Sequence, residues 1–413
     1  MLKKYCYILI ALFAVSCSKG NVKPSHQSGA ANCNCAQQTP QPIESNPPKS
    51  KPTILQDYAL LKPAQWQDIE GFAEDDISAA WPAWLQSCAT LKNKTLQPWQ
   101  AACSAASALS KPNKQQVQAY FAEHFNVFST NNTDGSDTGL ITGYYQPLLK
   151  GSRNKSSQYP HPLYKQPADL ITVDLGETYP ELKNKRIRGK LVADKDGRNK
   201  LVPYSTRAEI ETTASPIAGN ELVWINDQVE SFFLQVQGSG IVQFENGESM
   251  QVGYADQNGQ AYNSIGRVLI ERGELSKDQA SMQGIKNWAT KNPAKLQELL
   301  NANPSYVFFR ELPAGLSGPL GALGVPLSAE RSVAIDPRHV PLGAPVFLST
   351  TQPNTNKPLK KLMVAQDTGG AIKGGVRADF FWGAGEAAGK QAGSMKQQGK
   401  IWVLLPKGFI LPE

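Results

Sequence analysis

Leu362–Gly385 reads LMVAQDTGGAIKGGVRADFFWGAG. An apolar run, Leu362 to Ala365, ends on Gln366 and Asp367, and a connection holding Gly369, Gly370, Gly374 and Gly375 follows. A second run, Val376 to Trp382, carries Asp379 in its middle. The pattern predicts strand, flexible connection, strand. Glycine allows turns at positive φ and lets another chain come close to the backbone. Both acids then fall on neighbouring strands at the edge of a glycine-lined depression. Asp379 is flanked by Ala378, Phe380, Phe381 and Trp382. Desolvation in such surroundings raises a carboxyl pKa and suits a general acid working near neutral pH. Taken alone, the stretch leaves a structural reading open, in which Asp367 caps a turn and Asp379 makes a structural hydrogen bond.

Around this stretch the C-terminal region reads as β. The runs are Tyr306 to Phe309, Ser332 to Ile335, Pro345 to Leu348, Leu362 to Ala365, Val376 to Phe381 and Ile401 to Leu405. Short strands with Gly/Pro connections suggest a small barrel, with a helix at Glu386 to Gln391 packed across it. Upstream, Gly139 to Pro147 (GLITGYYQP) is rich in β-formers. Further short runs lie at Lys200 to Tyr204, Leu222 to Ile225, Phe232 to Val236 and Ile241 to Phe244. Asn246-Gly247 marks a hairpin before Met250. Helices are predicted at Ser205 to Thr212, Tyr262 to Arg272 and Asp278 to Asn301. Ile54 to about Phe128 also reads as helical. Val117, Tyr120, Phe121, His124 and Phe125 share one helix face, which makes His124 a packed histidine.

The N-terminus has the layout of an export signal. Lys3 and Lys4 precede the apolar segment Tyr5 to Val15, and small residues lead to Cys17. The apolar run is too short for a membrane span. It resembles a bacterial lipoprotein signal, 1–16, with acylation at Cys17; the other reading is an ordinary secretory signal. Ser18 favours the outer membrane by resemblance to the sorting rule of Gram-negative lipoproteins. Residues 17–53 read as a disordered tether. Cys33 and Cys35 sit in it without an assigned role. Cys88 and Cys103 fall in an oxidising compartment on two neighbouring helices, as a disulfide or as two buried thiols.

The 413 residues are enough for two domains with real cores. A net charge of +7, with no dense Lys/Arg run, argues against nucleic acid as a partner. The four histidines, His26, His124, His161 and His339, form no metal-ligand spacing. No serine-hydrolase elbow, Walker motif or dinucleotide fingerprint occurs; Ser239 in Gln237-Gly238-Ser239-Gly240 is the nearest imitation of an elbow. Neither a metal nor another cofactor is implied. Carboxylates, amides, tyrosines and other aromatics remain, a set suited to a sugar polymer.

Several motifs, in order, carry a resemblance. They are Gly139 to Pro147, Gln235 to Gly240 (QVQGSG), Gly253-Tyr254-Ala255 with Asn258-Gly259, Ser264 to Arg267, Asn303 to Phe309, and Ala365-Gln366-Asp367 on to Asp379. Over about Trp66 to Pro406 the chain resembles the membrane-bound lytic murein transglycosylase A family. Its C-terminal part resembles the three-aspartate domain, with Asp336, Asp367 and Asp379 as the three acids. The resemblance implies a mainly β fold with N-terminal helices (α+β): a double-psi β-barrel domain plus an inserted β-rich domain, with a groove between them. Residues 54–159 with 304–413 would form the catalytic domain and 160–303 the insert that binds substrate. Gln146 stands where many relatives have Glu or Thr, and Gln257 where some have Lys.

The family cleaves the β-1,4 bond between N-acetylmuramic acid and N-acetylglucosamine in peptidoglycan without adding water. By the matching position, Asp379 would be the general acid and then base, and Asp367 would support it. Gln237, Ser239, Tyr144 and Tyr254 are candidates for sugar contacts. Asp336 joins that group by resemblance, although Pro337 after it suits a residue that holds a barrel turn. The implied partners are peptidoglycan strands and, through the lipid anchor at Cys17, the periplasmic face of the outer membrane. Two other classes stay open: a non-catalytic, expansin-like wall-binding module and a hydrolytic muramidase.

Overall fold

Six strands close on themselves. Their order is Lys396–Pro406, Pro345–Thr351, Pro358–Thr368, Ser332–Ile335, Ala378–Ala384 and Gly139–Gln146, and the last pairs back onto the first. The computed structural model describes residues 58–411 except 95, 96, 183, 184 and 186. The signal segment, the tether, Cys17, Cys33 and Cys35 lie outside the described residues. Among those described, no helix is long and apolar enough to cross a membrane.

The closed barrel is the architecture the resemblance implies, but its membership differs from the reading by runs. Tyr306 to Phe309 is not a barrel strand. Val307–Glu311 pairs with Ser249–Gln257 in a separate sheet. Its aromatics serve two other cores: Phe308 joins Tyr164, Tyr204 and Tyr306, and Phe309 joins Leu163, Val223 and Val252. The sixth barrel strand is Gly139–Gln146, parallel to Ala378–Ala384 and antiparallel to Lys396–Gly399. Two of its glycines fit it to this seam. A Cβ on Gly139 would stand 1.8 Å from the Val376 carbonyl oxygen, and one on Gly143 would stand 2.7 Å from Trp382 Nε1. Gly143 therefore lets Trp382 and the helix Gly385–Ser394 lie directly against the strand.

The N-terminal region is helical in its middle and extended at both ends. Leu61–Ala64 pairs with Phe125–Thr130, which in turn pairs with the C-terminal barrel strand. The helix Lys114–His124 starts at an Asn113–Gln116 capping box and stops where Phe125 turns extended. Pairing with Trp402–Pro406 overrides the helical spacing that includes Phe125. The helices share one core with the barrel, centred on Trp84, Trp99, Phe121 and Phe347. One hydrogen-bond chain ties them: Trp84 Nε1 donates to Tyr120 Oη at 3.1 Å, which donates to the Ala102 carbonyl at 2.8 Å. His124 is half-buried against the Tyr120 ring, 5.0 Å between centroids.

Cys88 and Cys103 are joined in a disulfide between the helices Trp81–Lys94 and Gln97–Ala108, 15 residues apart in sequence. Closing a loop of that length stabilises by about 3 kcal/mol in the chain-entropy model. Cys88→Ser with Cys103→Ser is expected to lower the unfolding free energy by about that amount, measured by urea titration. An unchanged midpoint would show that packing alone holds this pair of helices.

A second clasp joins residues before the helices to the barrel. Arg331 donates to both Asp75 oxygens, at 2.7 and 3.0 Å, and to the carbonyls of Leu362 and Asp76. Asp75 also accepts from the Leu362 N–H at 2.8 Å. Both side chains are largely buried.

The inserted part carries a six-stranded sheet in the order Val307–Glu311, Ser249–Gln257, Ser239–Gln243, Leu148–Ser152, Glu221–Ile225 and His161–Tyr164. The Asn246-Gly247 hairpin forms, with Gly247 at φ 86°. Phe232 to Val236 is a correction: it lies in the helix Gln228–Gln237. The Asp227 carboxylate caps the Val229 and Glu230 N–H groups, and Gly238 in the left-handed region ends the helix. Phe232 and Phe233 pack on Ile265, Leu269 and Trp288, while Leu234 packs on the sheet. The helix sits between two cores, so Phe232, Phe233 and Leu234 fall side by side in sequence and the run looks like a buried strand. A small sheet of Ile171–Thr172, Arg188–Ala193 and Asn199–Pro203 is tied on by Arg188 to Asp256 at 2.9 Å.

Candidate active site

The barrel places its two groove-facing acids through one small residue. Ala334 pairs with Asp367 on one side and with Asp379 on the other. Cross-strand partners share a face, and two strand spacings set the Cα atoms on the order of 10 Å apart. A register shift between Val333 and Ala334 brings Asp367 into this row. Thr142 pairs with Asp379 from the next strand and extends it.

The two carboxylates have different surroundings. Asp367 is clamped: Oδ1 accepts the N–H groups of Ala322 and Thr368, each at 2.9 Å, and Oδ2 accepts the Tyr144 hydroxyl at 3.0 Å. Tyr144 is buried and packs on Phe381, 5.1 Å between centroids. Asp379 is half-buried and accepts the Thr142 hydroxyl at 2.6 Å. Desolvation pushes its pKa up to about 6. Asp367 adds to the rise, while the Thr142 hydrogen bond and the Arg377 charge offset part of it. Such a group exchanges a proton near neutral pH, which Asp and Glu in water do not.

Both acids open into a groove of about 1020 Å³ between barrel and insert. Tyr144 lines its barrel side, and Gln237, Ser239 and Tyr254 line its insert side. Gln237 Oε1 also accepts the Tyr145 N–H at 3.0 Å, a direct tie between insert and barrel. Tyr254 is exposed.

Asp336 is not brought to the groove. It is fully buried, and its carboxylate accepts from Arg338 and from the Gly374 N–H at 2.9 Å. It anchors the glycine-rich connection between the two acid-bearing strands. Sequence reasoning missed Arg207, Tyr262, Arg310 and Arg377 on the groove wall, and Thr142 beside Asp379. Thr142 could have been found, because it lies two residues before Tyr144 on one strand and so shares its face. The others depend on pairings that local pattern does not encode. Arg207 is buried, with Asn303 and Ser305 carbonyls, Gln235 and Glu211 as its acceptors.

With this geometry in hand, comparison with known proteins is direct. Residues 140–310 match the model of the MltA specific insert domain, and residues 331–405 match that of the 3D domain. The crystal structure of MltA from Neisseria gonorrhoeae, monoclinic form, is 37% identical with a TM-score of 0.72, covering 85% of this chain and 93% of that one. The chain belongs to the MltA family. Membrane-bound lytic murein transglycosylase A of Escherichia coli (strain K12) is 34% identical to it over 272 residues, 64% of this chain. That match spans 65% of the E. coli protein's length. The structure of E. coli MltA with bound chitohexaose is 27% identical with a TM-score of 0.59, covering 85% of this chain and 92% of that one. The fold is thus that of MltA, a double-psi β-barrel with an inserted β-rich part and a groove between them.

Proposed function

We propose that the protein is a lytic transglycosylase of peptidoglycan. It cleaves the β-1,4 bond between N-acetylmuramic acid and N-acetylglucosamine and leaves a 1,6-anhydromuramoyl end. The observation that carries this reading is the placement of Asp379: a carboxyl set across Ala334 from Asp367, in a groove between two lobes, where desolvation pushes its pKa up to about 6. Membership of the MltA family and the chitohexaose bound to an E. coli relative support it.

Asp379 in its acid form gives its proton to the glycosidic oxygen as the C1–O bond breaks. Positive charge develops at C1, and Asp367, whose oxygens accept from Tyr144 and two backbone N–H groups, faces it across Ala334. The C6 hydroxyl of the muramoyl residue then bonds to its own C1. Asp379, now ionised, accepts the hydroxyl proton and returns to its starting state. No water is consumed, so a second carboxylate acting as base is not needed. Asp379 serves as both acid and base, and a pKa near neutrality lets one group do both. Gln237, Ser239, Tyr144 and Tyr254 serve as sugar contacts. Asp336 acts through the loop it anchors.

The domain division belongs to the same proposal: residues 54–159 with 304–413 as the catalytic body, and 160–303 as the substrate-binding insert, whose sheet also takes in Leu148–Ser152 and Val307–Glu311 from the flanking segments. A lipid on Cys17 and a tether to about residue 53 would hold this body at the periplasmic face of the outer membrane.

The test is mass spectrometry of muropeptides released from purified peptidoglycan. Products one water lighter than reducing-end forms are expected. Reducing-end products would make the protein a muramidase. Retention on peptidoglycan without any product would make it a wall-binding module.

A further inference from the structure

Four cations line the groove: Arg207, Arg310, Lys373 and Arg377. Two are committed to the fold. Arg207 is buried under its four acceptors, and Arg377 is half-buried, donating to the Leu140 and Ala378 carbonyls beside Asp379. Lys373 rides on the glycine-rich connection. Arg310 is different. It is exposed on the rigid strand Val307–Glu311, and among the described residues no carboxylate pairs with it. Glu311 follows it on the strand and so points to the opposite face. Arg310 pairs across the sheet with Gly253, and Gly253 pairs with Ser239 on its other side. Arg310 and Ser239 therefore share a face, and the Leu312 side chain lies over Gly253 between them.

A neutral glycan presents hydroxyls and acetamides, which the amides, Ser239 and tyrosines of the wall can serve. A guanidinium is instead shaped for a carboxylate, through two parallel N–H donors. We propose that Arg310 binds a carboxylate of the substrate, so that the groove selects acid-bearing muramoyl glycan over neutral glycan. This rests on the peptidoglycan reading above. N-acetylmuramic acid differs from N-acetylglucosamine by a lactyl ether that ends in a carboxyl. That carboxyl is free in stripped strands; in stem-bearing strands it is an amide, and the peptide supplies carboxylates of its own.

The test is calorimetric binding to the full chain carrying Asp379→Asn, which reads no bond cleavage. Failure of the transglycosylase reading is thereby kept apart from failure of this one. The ligands are chitotetraose, a tetrasaccharide of alternating N-acetylglucosamine and N-acetylmuramic acid with free lactyl carboxylates, and the same tetrasaccharide carrying peptide stems. At least one acid-bearing ligand is expected to bind about 10-fold or more tightly than chitotetraose. Adding Arg310→Gln is expected to bring that ratio to within about 2-fold while chitotetraose affinity holds, and Arg310→Lys to retain part of it. Preference for the stripped tetrasaccharide would assign the lactyl carboxylate, and preference for the stem-bearing one alone would assign the peptide. Equal binding of all three by Asp379→Asn, or a preference that survives Arg310→Gln, would overturn the proposal.

Discussion

Asp379→Asn is expected to leave a folded, glycan-binding protein whose turnover falls by about 10³-fold or more, within the range that general acid–base groups contribute. Asparagine keeps an oxygen for the Thr142 hydroxyl, so the local geometry survives, but it has no acidic proton to give. Release of muropeptides measures this directly, and activity within a few-fold of the parent would remove Asp379 from the mechanism. In the parent, kcat/KM should fall as pH rises through about 6, as the acid form is lost. The same shift has a stability consequence of definite sign. The folded pKa is raised from 3.8 to about 6, so the folded state binds the proton more tightly than the unfolded state. This carboxyl therefore favours folding least above about pH 6, and the penalty fades as pH falls toward 4. Asp379→Asn should raise the melting temperature by a few degrees at pH 7.5 and not at pH 4. A variant inactive yet more stable only at neutral pH would report on one desolvated charge through two independent measurements.

Arg331→Leu is expected to destabilise the fold by about 3–5 kcal/mol, a drop in melting temperature on the order of 10 °C. The reason is what it leaves behind. Asp75 is buried and, among the described residues, would be left with only the Leu362 N–H as partner to its side chain. Asp75→Leu combined with Arg331→Leu should recover most of the loss, since a buried ion pair replaced by apolar side chains is often near neutral. Thermal unfolding of both single variants and the double variant makes the cycle. Additive losses would mean that the pair is not energetically coupled.

How much could be read in advance varied with how local each signal was. The strands bearing Asp367 and Asp379 were legible because apolar runs and glycines sit side by side in sequence. The hairpin at Asn246-Gly247 was legible for the same reason. The Phe232 to Val236 run misled because a helix that serves two cores sets apolar residues side by side, as a buried strand does. Val307–Glu311 misled because its run of Val307, Phe308 and Phe309 looks alike in a barrel or an open sheet, and only pairing distinguishes them. The row Asp367–Ala334–Asp379–Thr142 spans four strands drawn from both ends of the chain. Each acid is visible in sequence, whereas their shared partner is a matter of register. Arg310 escaped notice because its neighbours across the sheet, Gly253 and Ser239, come from other strands.

The seam between Gly139–Gln146 and the C-terminal strands bears on how the chain acquires its site in time. Thr142 and Asp379 touch across 237 residues, and Phe125–Thr130, paired on one edge with Leu61–Ala64, finds its partner on the other edge in Trp402–Pro406. The inserted sheet, by contrast, draws all its strands from residues 148–311. Loop-closure entropy makes such distant pairings slow relative to local ones. The insert can therefore condense while the first barrel strand still has an unpaired edge, and the barrel closes only when the C-terminal strands arrive. Thr142 and Asp379 meet only at that closure. A chain still being made holds no assembled acid pair, so competence to cut a polymer arises late in folding and in one cooperative step.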